Sequence, residues 1–310
     1  MPKWLEKKDN LTLGKILKEV ENQTGQSTEI LKSCYSIESK AHIVGITGPP
    51  GAGKSTLVSK LCKQYAAQGL KIAVVCVDPT SPFTNGALLG DRIRMQELAK
   101  LPNVFIKSLA TRGNLGGLAA STADIVQVFG AFDMDLILIE TVGVGQIEFD
   151  VLEVSDTVIL VNVPGLGDSL QTLKAGIMEI ADMFVINQAD RPGADESVKD
   201  LKLMVRESAR KDWDLPILKT VATREEGINE LVEQIYHHQS FLLRSGSWKE
   251  KRQTRNLTRL NQMVLHLLTT KVDELTQTDE FIKSQIQNVR RGNIDPFTVS
   301  HKIVNQLISK

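Results

Sequence analysis

The stretch Gly48-Pro-Pro-Gly-Ala-Gly-Lys54-Ser55 constrains this chain more than any other, because of what flanks it. An apolar run, His42–Thr47, leads into it, and a stretch of helical spacing over 54–68 follows and stops at Gly69. Glycines let backbone N–H groups turn inward around an anion, and a helix N-terminus aimed at the same point favours negative charge there. Strand, glycine-rich loop and helix in that order form a cradle for nucleotide phosphates. Gly48, Pro50, Gly51, Ala52, Gly53, Lys54, Ser55 and Thr56 are therefore the candidate nucleotide contacts. In this pattern Lys54 reaches the β- and γ-phosphates and serves catalysis, and the Ser55 hydroxyl ligates Mg²⁺.

The rest of the chain alternates in the same way. Apolar runs over 71–77, 104–109, 136–139, 157–163, 183–186 and 216–220 read as strands. Stretches of helical period over 88–100, 118–129, 170–181, 195–209 and 226–237 separate or follow them. Short apolar strands between amphipathic helices predict an α/β fold of the P-loop NTPase kind, a mostly parallel sheet covered by helices on both faces. Ligands of such sheets bind at the carboxyl ends of the strands, where Gly48, Asp78, Glu140 and Asn187 fall. Helical spacing over 11–38 and after about 240 predicts additions at both ends. The expected organisation is an N-terminal helical extension over 1–40, a nucleotide-binding domain over 41–240 and a C-terminal helical arm over 241–310. Ser245-Gly-Ser-Trp reads as a break, and Asp295-Pro296 as the start of a last helix.

Composition narrows the function classes. Lys plus Arg is 37 and Asp plus Glu is 37, so formal net charge is zero, which argues against a nucleic-acid-coating surface. The three cysteines, Cys34, Cys62 and Cys76, form no C-x-x-C pair and read as buried, reduced thiols. The N-terminus lacks an apolar signal core, and no stretch approaches the roughly 18 apolar residues of a membrane span. The expectation is a cytoplasmic protein.

Acidic and amide residues at strand ends supply the remaining candidates. Asp78, Asp91 and Glu140 are the carboxylates available to the metal, with Glu140 where the strand over 136–139 stops. Gly143, three residues on, is placed to offer its N–H to the γ-phosphate, and Gln146 to orient a hydrolytic water. Asn187-Gln-Ala-Asp190 carries the base signal. A carboxylate at Asp190 accepts from guanine N1–H and the 2-amino group but repels adenine N1, which is an acceptor. Asn187 can bridge the base and neighbouring loops, and Ala222 can offer a backbone N–H to guanine O6.

These residues resemble a known family. Gly45–Leu57, Val77-Asp-Pro-Thr-Ser-Pro82, Leu89-Gly-Asp-Arg-Ile-Arg-Met95, Arg112-Gly-Asn-Leu-Gly-Gly-Leu118, Glu140-Thr-Val-Gly-Val-Gly-Gln146 and Gly167–Glu179 look like the MeaB/ArgK family of P-loop GTPases. Members of that family are chaperones of adenosylcobalamin-dependent acyl-CoA mutases. The resemblance implies GTP hydrolysis, Mg²⁺ and GTP or GDP as ligands, and gating of cofactor loading and protection in the mutase. It implies a homodimer held by C-terminal helices. It also implies switches at 78–94, 140–154 and 163–174, with Asp168 and Lys174 responding to the partner and Lys174 contributing to catalysis. One departure is plain: Gln188 stands where the family has Lys, whose stem covers a face of the base. Two other uses of a P-loop compete with this reading. A metal-insertion GTPase normally carries a Cys/His cluster, which the scattered Cys and His here do not suggest. A kinase linked to basic amino-acid transport, an older label of the family, would need an acceptor site that no motif specifies.

Overall fold

A computed structural model describes residues 2–78, 97–110, 117–141, 153–165, 180–207 and 212–308. Asp91, Gly143, Gln146, Asp168 and Lys174 lie outside these residues, as does the side chain of Asp78. The chain divides into two compact units, Met1–Arg255 and Asn256–Lys310.

The first unit is built on seven parallel strands: β1 (His42–Thr47), β2 (Ile72–Asp78), β3 (Val104–Ala110), β4 (Leu136–Thr141), β5 (Thr157–Asn162), β6 (Met183–Asn187) and β7 (Ile217–Thr220). Their spatial order is β3-β2-β4-β1-β5-β6-β7. The chain moves outward on one side of β1 and then crosses to the other side between β4 and β5. The carboxyl end of β1 is thus a point where strand order reverses, the position at which such sheets bind ligands. The predicted strand over 136–139 is longer than its apolar run: Glu140 lies inside the ladder, opposite Ile46 of β1 and Cys76 of β2.

The helices cover both faces. On one face lie α1 (Lys3–Glu6), α2 (Asn10–Glu21), α3 (Ser27–Tyr35) and α5 (Gly117–Ala131). Leu13, Leu17, Ile30 and Cys34 meet Ile125 and Phe129 there, over Ile43, Val75 and Ile139. The predicted helical stretch over 11–38 is two helices, because the chain turns between them, with Gln23 at φ 49°. On the other face, α4 (Lys54–Ala67) and α7 (Ile228–Ser245) bury Leu57, Leu61, Tyr65, Leu231 and Ile235 against Val44, Val74 and Val161. A third cluster packs α6 (Ala194–Glu207) through Leu201 onto Leu160 and Phe184. Each such fully buried aliphatic side chain contributes about 1.5–3 kcal/mol relative to an exposed one. Burial pushes the Cys34 and Cys62 thiols up to about 12, so both stay protonated and inert. Among the described residues no helix is long and apolar enough to cross a membrane.

At the end of the sheet opposite the glycine-rich loop, the strands start in a buried polar cluster. The Thr157 hydroxyl sits 2.7 Å from His42 Nε2 and 2.8 Å from His238 Nδ1. Asp182 lies 3.6 Å from His238 Nε2, so the Thr157 hydroxyl joins two imidazoles in a cluster that also holds a carboxylate. Burial pushes the His42 imidazole down to about 4, against the pull of Asp156 and with the help of His238, Arg252 and Lys251. The folded chain therefore refuses a proton that the unfolded chain accepts near pH 6.5. Stability is expected to fall as pH drops from about 6.5 to about 4, by on the order of 2–3 kcal/mol from this group. Urea titrations across that window should show the slope, and His42→Gln should flatten it; an unchanged slope would assign the acid sensitivity elsewhere.

The chain continues through α8 (Ser247–Thr278), whose start lies in the first unit, then α9 (Glu280–Arg290) and α10 (Pro296–Ile308). The break expected near 245 is local: Gly246, at φ 80°, separates α7 from α8. Asp279 caps α9 by accepting from Phe281 N and Ile282 N, and Asp295 opens α10 by accepting from Thr298 N. Within the second unit only Leu275, Ile282 and Val299 are buried apolar residues among those described. Leu257, Leu260, Val264, Leu267 and Leu268 of α8 are exposed at helical spacing.

Candidate functional site

The glycine-rich loop joins β1 to α4 in the geometry its residues require. Gly48 has φ 144°, and a Cβ there would stand 1.9 Å from Val161 O of β5. Gly53 has φ 83° and caps α4; its Cβ would stand 2.4 Å from Asn187 Nδ2. A side chain at Gly48 would collide with backbone, and one at Gly53 would be strained by its left-handed φ and would displace the Asn187 amide. The loop is thereby pressed against β5 and the end of β6, and α4 begins at Lys54 with its first N–H groups unbonded within the helix.

Lys54 is buried, and its ammonium donates to Gly48 O at 2.7 Å and Pro49 O at 3.1 Å. The cation is thus held inside the loop, where phosphate oxygens would meet it. Ser55 Oγ donates to Glu140 Oε1 at 2.5 Å. Glu140 is buried at 6% exposure, although it lies within β4. The next residue, Thr141, donates its hydroxyl to Thr47 at 2.9 Å and ties the carboxyl ends of β4 and β1 together beneath the loop. A hydroxyl and a carboxylate side by side are hard oxygen donors that fit Mg²⁺, which keeps several waters and needs few protein ligands.

The base-reading residues gather on the other side of the loop. Asn187, the last residue of β6, donates from Nδ2 to Ala52 O at 2.8 Å. Its Oδ1 accepts from Thr220 Oγ1 and from Ala222 N, both at 3.1 Å. The Ala222 N–H, expected at guanine O6, is instead given to Asn187. Asp190 is partly exposed, and its Oδ2 lies 3.2 Å from Arg224, at the end of the 3-10 turn Ala222–Arg224. Arg224 escaped the sequence reading: the only available signal was its place two residues beyond Ala222. The structure thus brings Gly48, Ala52, Gly53, Lys54, Ser55, Glu140, Asn187, Asp190 and Ala222 to one end of the sheet.

Residues 13–277 match the family described as "Methylmalonyl Co-A mutase-associated GTPase MeaB". The chain belongs to the MeaB family. It is a GTPase with a P-loop NTPase fold. Three similar proteins agree. A Pyrococcus abyssi protein, whose name goes no further than a GTPase, is 47% identical over 308 residues, covering 98% of this chain and 95% of its own. The mouse "Methylmalonic aciduria type A homolog, mitochondrial" is 38% identical over 255 residues, covering 80% of this chain and 60% of the mouse protein. GTPase ArgK of Escherichia coli is 32% identical over 279 residues, covering 88% of this chain and 84% of its own. The crystal structure of a LAO/AO transport system kinase superposes with a TM-score of 0.73 at 23% identity, covering 99% of this chain and 95% of the other, a likeness of fold. In this MeaB-family chain the side-chain amide of Gln188 donates to Gly51 O at 3.0 Å.

Proposed function

We propose that this protein binds GTP and GDP with Mg²⁺ at the carboxyl end of β1 and, as a cytoplasmic homodimer, gates cofactor loading and protection in an adenosylcobalamin-dependent acyl-CoA mutase. The observation that carries the mutase partner is the family match over residues 13–277, whose description names methylmalonyl-CoA mutase. The name of the mouse relative points the same way. In this reading Lys54 and the amides of the loop and α4 hold the β- and γ-phosphates. Ser55 and Glu140 hold Mg²⁺, with Asp78 and Asp91 as further ligands. When bound, the ion would neutralise phosphate charge as the γ-phosphoryl group departs. Asp190 accepts from the guanine edge, while Asn187 fixes the loops around it. Gly143 senses the γ-phosphate, Gln146 orients the water, and Asp168 and Lys174 answer to the mutase. The exposed apolar stripe Leu257, Leu260, Val264 and Leu267 supports pairing of the C-terminal helices between two copies.

The test is to mix the purified protein with each cobalamin-dependent mutase of the same organism, with and without GTP. Light scattering should give twice the 34.2 kDa chain mass alone and a larger complex with one mutase. Bound mutase should raise GTP turnover about tenfold or more by ordering the switch residues. A monomeric mass would remove the dimer, and no complex or stimulation with any mutase would remove the chaperone role.

A further inference from the structure

The amino ends of β2, β3 and β4 lie at the end of the sheet away from the phosphate loop, and they border a cavity of about 360 Å³. Its floor is apolar: Leu13 of α2, Phe105 of β3, and Phe132 and Met134 between α5 and β4. Leu13, Phe132 and Met134 are buried, and both rings have fixed neighbours. Phe132 stacks on Trp4 of α1 with centroids 5.9 Å apart, and Phe105 meets Phe129 edge-on at 5.7 Å. The α2 side of the wall is tied down by the ion pair Lys8–Asp133 and by Asp9, which caps the helix by accepting from Thr12 N at 2.7 Å. The space is therefore preformed, and its volume falls in the range of roughly 300–1,000 Å³ found for small-molecule pockets.

Three polar groups of the lining are open to a ligand. Lys71, exposed just before β2, is fixed by its main chain: its N–H donates to Asp135 Oδ2 at 2.8 Å, and its carbonyl accepts from Asp135 N at 2.8 Å and Leu136 N at 3.2 Å. Its ammonium has no hydrogen-bond or ion-pair partner among the described residues. Asn103 donates from Nδ2 to Ala66 O at 3.0 Å and Leu70 O at 2.7 Å, which leaves its Oδ1 free to accept. The side-chain amide of Asn10, exposed at the start of α2, also has no partner among the described residues. The other cation of the lining, Lys8, is neutralised by Asp133, and the Asp9 carboxylate stands on the rim. One unneutralised cation beside one carboxylate suits a ligand with a single negative charge and disfavours the two charges of a phosphate.

We propose that this cavity is a binding site for a small monocarboxylate with an apolar or aromatic body, separate from the nucleotide site. The body lies on Leu13, Phe105, Phe132 and Met134, and the carboxylate meets the Lys71 ammonium and the Asn10 amide. Asn103 Oδ1 takes any hydroxyl or amide proton that the ligand carries. The apolar floor supplies affinity and the cation fixes orientation, the usual division between the two kinds of lining. None of the phosphate- or base-facing residues lines the cavity, so its occupancy does not depend on bound nucleotide.

Ligand-observed NMR titration of the full chain with 4-phenylbutyrate tests it, with 4-phenylbutan-1-ol as the uncharged counterpart. The acid should bind with a dissociation constant of about 1 mM or tighter. The alcohol should bind about tenfold more weakly, the loss of one charged contact. Lys71→Met keeps the length of an exposed side chain but not its charge; it should weaken the acid about tenfold and leave the alcohol unchanged. Asn10→Trp, also at an exposed position, should fill the mouth and abolish binding of both. Thermal midpoints of the two variants at the parent value confirm that the fold is kept. Saturating GDP with Mg²⁺ should change none of these affinities. A parent that binds neither probe, an alcohol bound as tightly as the acid, or a Lys71→Met variant with the parent's affinity for the acid would each overturn the site. So would parent-like binding in Asn10→Trp, or displacement of the acid by GDP, which would put the probe in the nucleotide pocket instead.

Discussion

Replacing Lys54 with alanine is expected to weaken GTP binding about 100- to 1,000-fold while leaving the fold in place. The side chain is buried among carbonyls of the phosphate loop, with its ammonium 2.7 Å from Gly48 O and 3.1 Å from Pro49 O. It is the cation that the loop itself places among its own acceptors. A hydrogen bond from a charged donor to an anion is worth about 1.5–3 kcal/mol net, and Lys54 has three protons to share between two phosphates. Losing about 3–4 kcal/mol corresponds to the stated range. The amides at the start of α4 remain and retain weak phosphate binding. Lys54 makes no part of the apolar clusters, and α4 is held by Leu57, Leu61 and Tyr65. The thermal midpoint of the nucleotide-free protein should therefore stay close to the parent. Titration with GTP in the presence of Mg²⁺ decides the matter: a dissociation constant within threefold of the parent would mean that the loop is not the phosphate site.

What the sequence discloses about this site depends on how local the chemistry is. Gly48 is legible because the loop's conformation is set by adjacent residues. Seven strands were legible for a related reason: each is a short, mostly apolar run, buried throughout in β1, β4, β5 and β6 and half-buried in the edge strands β3 and β7. Glu140 was legible as an acid, but not as a residue inside β4. A lone charge at the end of an apolar run looks like the end of a strand, and its contact with Ser55, 85 residues earlier, is a long-range pairing that the run itself does not announce. The same holds for Gln188, whose partner Gly51 is 137 residues away, and for Ala222, whose N–H was assigned to the base and is held by Asn187. The polar cluster at the far end was invisible for want of any motif. His42, Thr157 and His238 sit in three unrelated stretches, and only the parallel register of β1 and β5 with the packing of α7 brings them together. Pairing across long sequence distances is what a single sequence shows least.

That far end carries the second large effect: Asp156→Ala is expected to cost about 3–5 kcal/mol of stability, the usual result of removing one partner from a buried ion cluster. Asp156 is fully buried just before β5. Its carboxylate accepts from Ile43 N at 3.0 Å and faces Arg252 at 3.3 Å, with Arg255 closer still. The two arginines start α8, and their other donors reach Ser39 O, Ala41 O and Val154 O. The carboxylate is therefore the fully buried anion that both guanidinium groups face in this corner. Burial alone would raise its pKa, but Arg255, Arg252, His42 and the Ile43 amide overcome that and hold it below the usual carboxylate range. Because the folded value is depressed, its contribution is present above the unfolded value near pH 4 and is lost as pH falls further. That window lies below the one assigned to His42, so the two can be separated in one set of urea titrations. In Asp156→Ala two half-buried guanidinium groups lose the carboxylate they face, and the midpoint should drop sharply at pH 7. A combined change of Asp156, Arg252 and Arg255 to apolar residues of similar volume should recover most of the loss, since the defect is unpaired charge and not missing attraction. If the single variant were as stable as the parent, or the triple variant no better than the single one, the cluster would not hold α8 in the manner described. GTP affinity measured below the midpoint should be unchanged in both variants, because the cluster lies at the end of the sheet away from the phosphate loop.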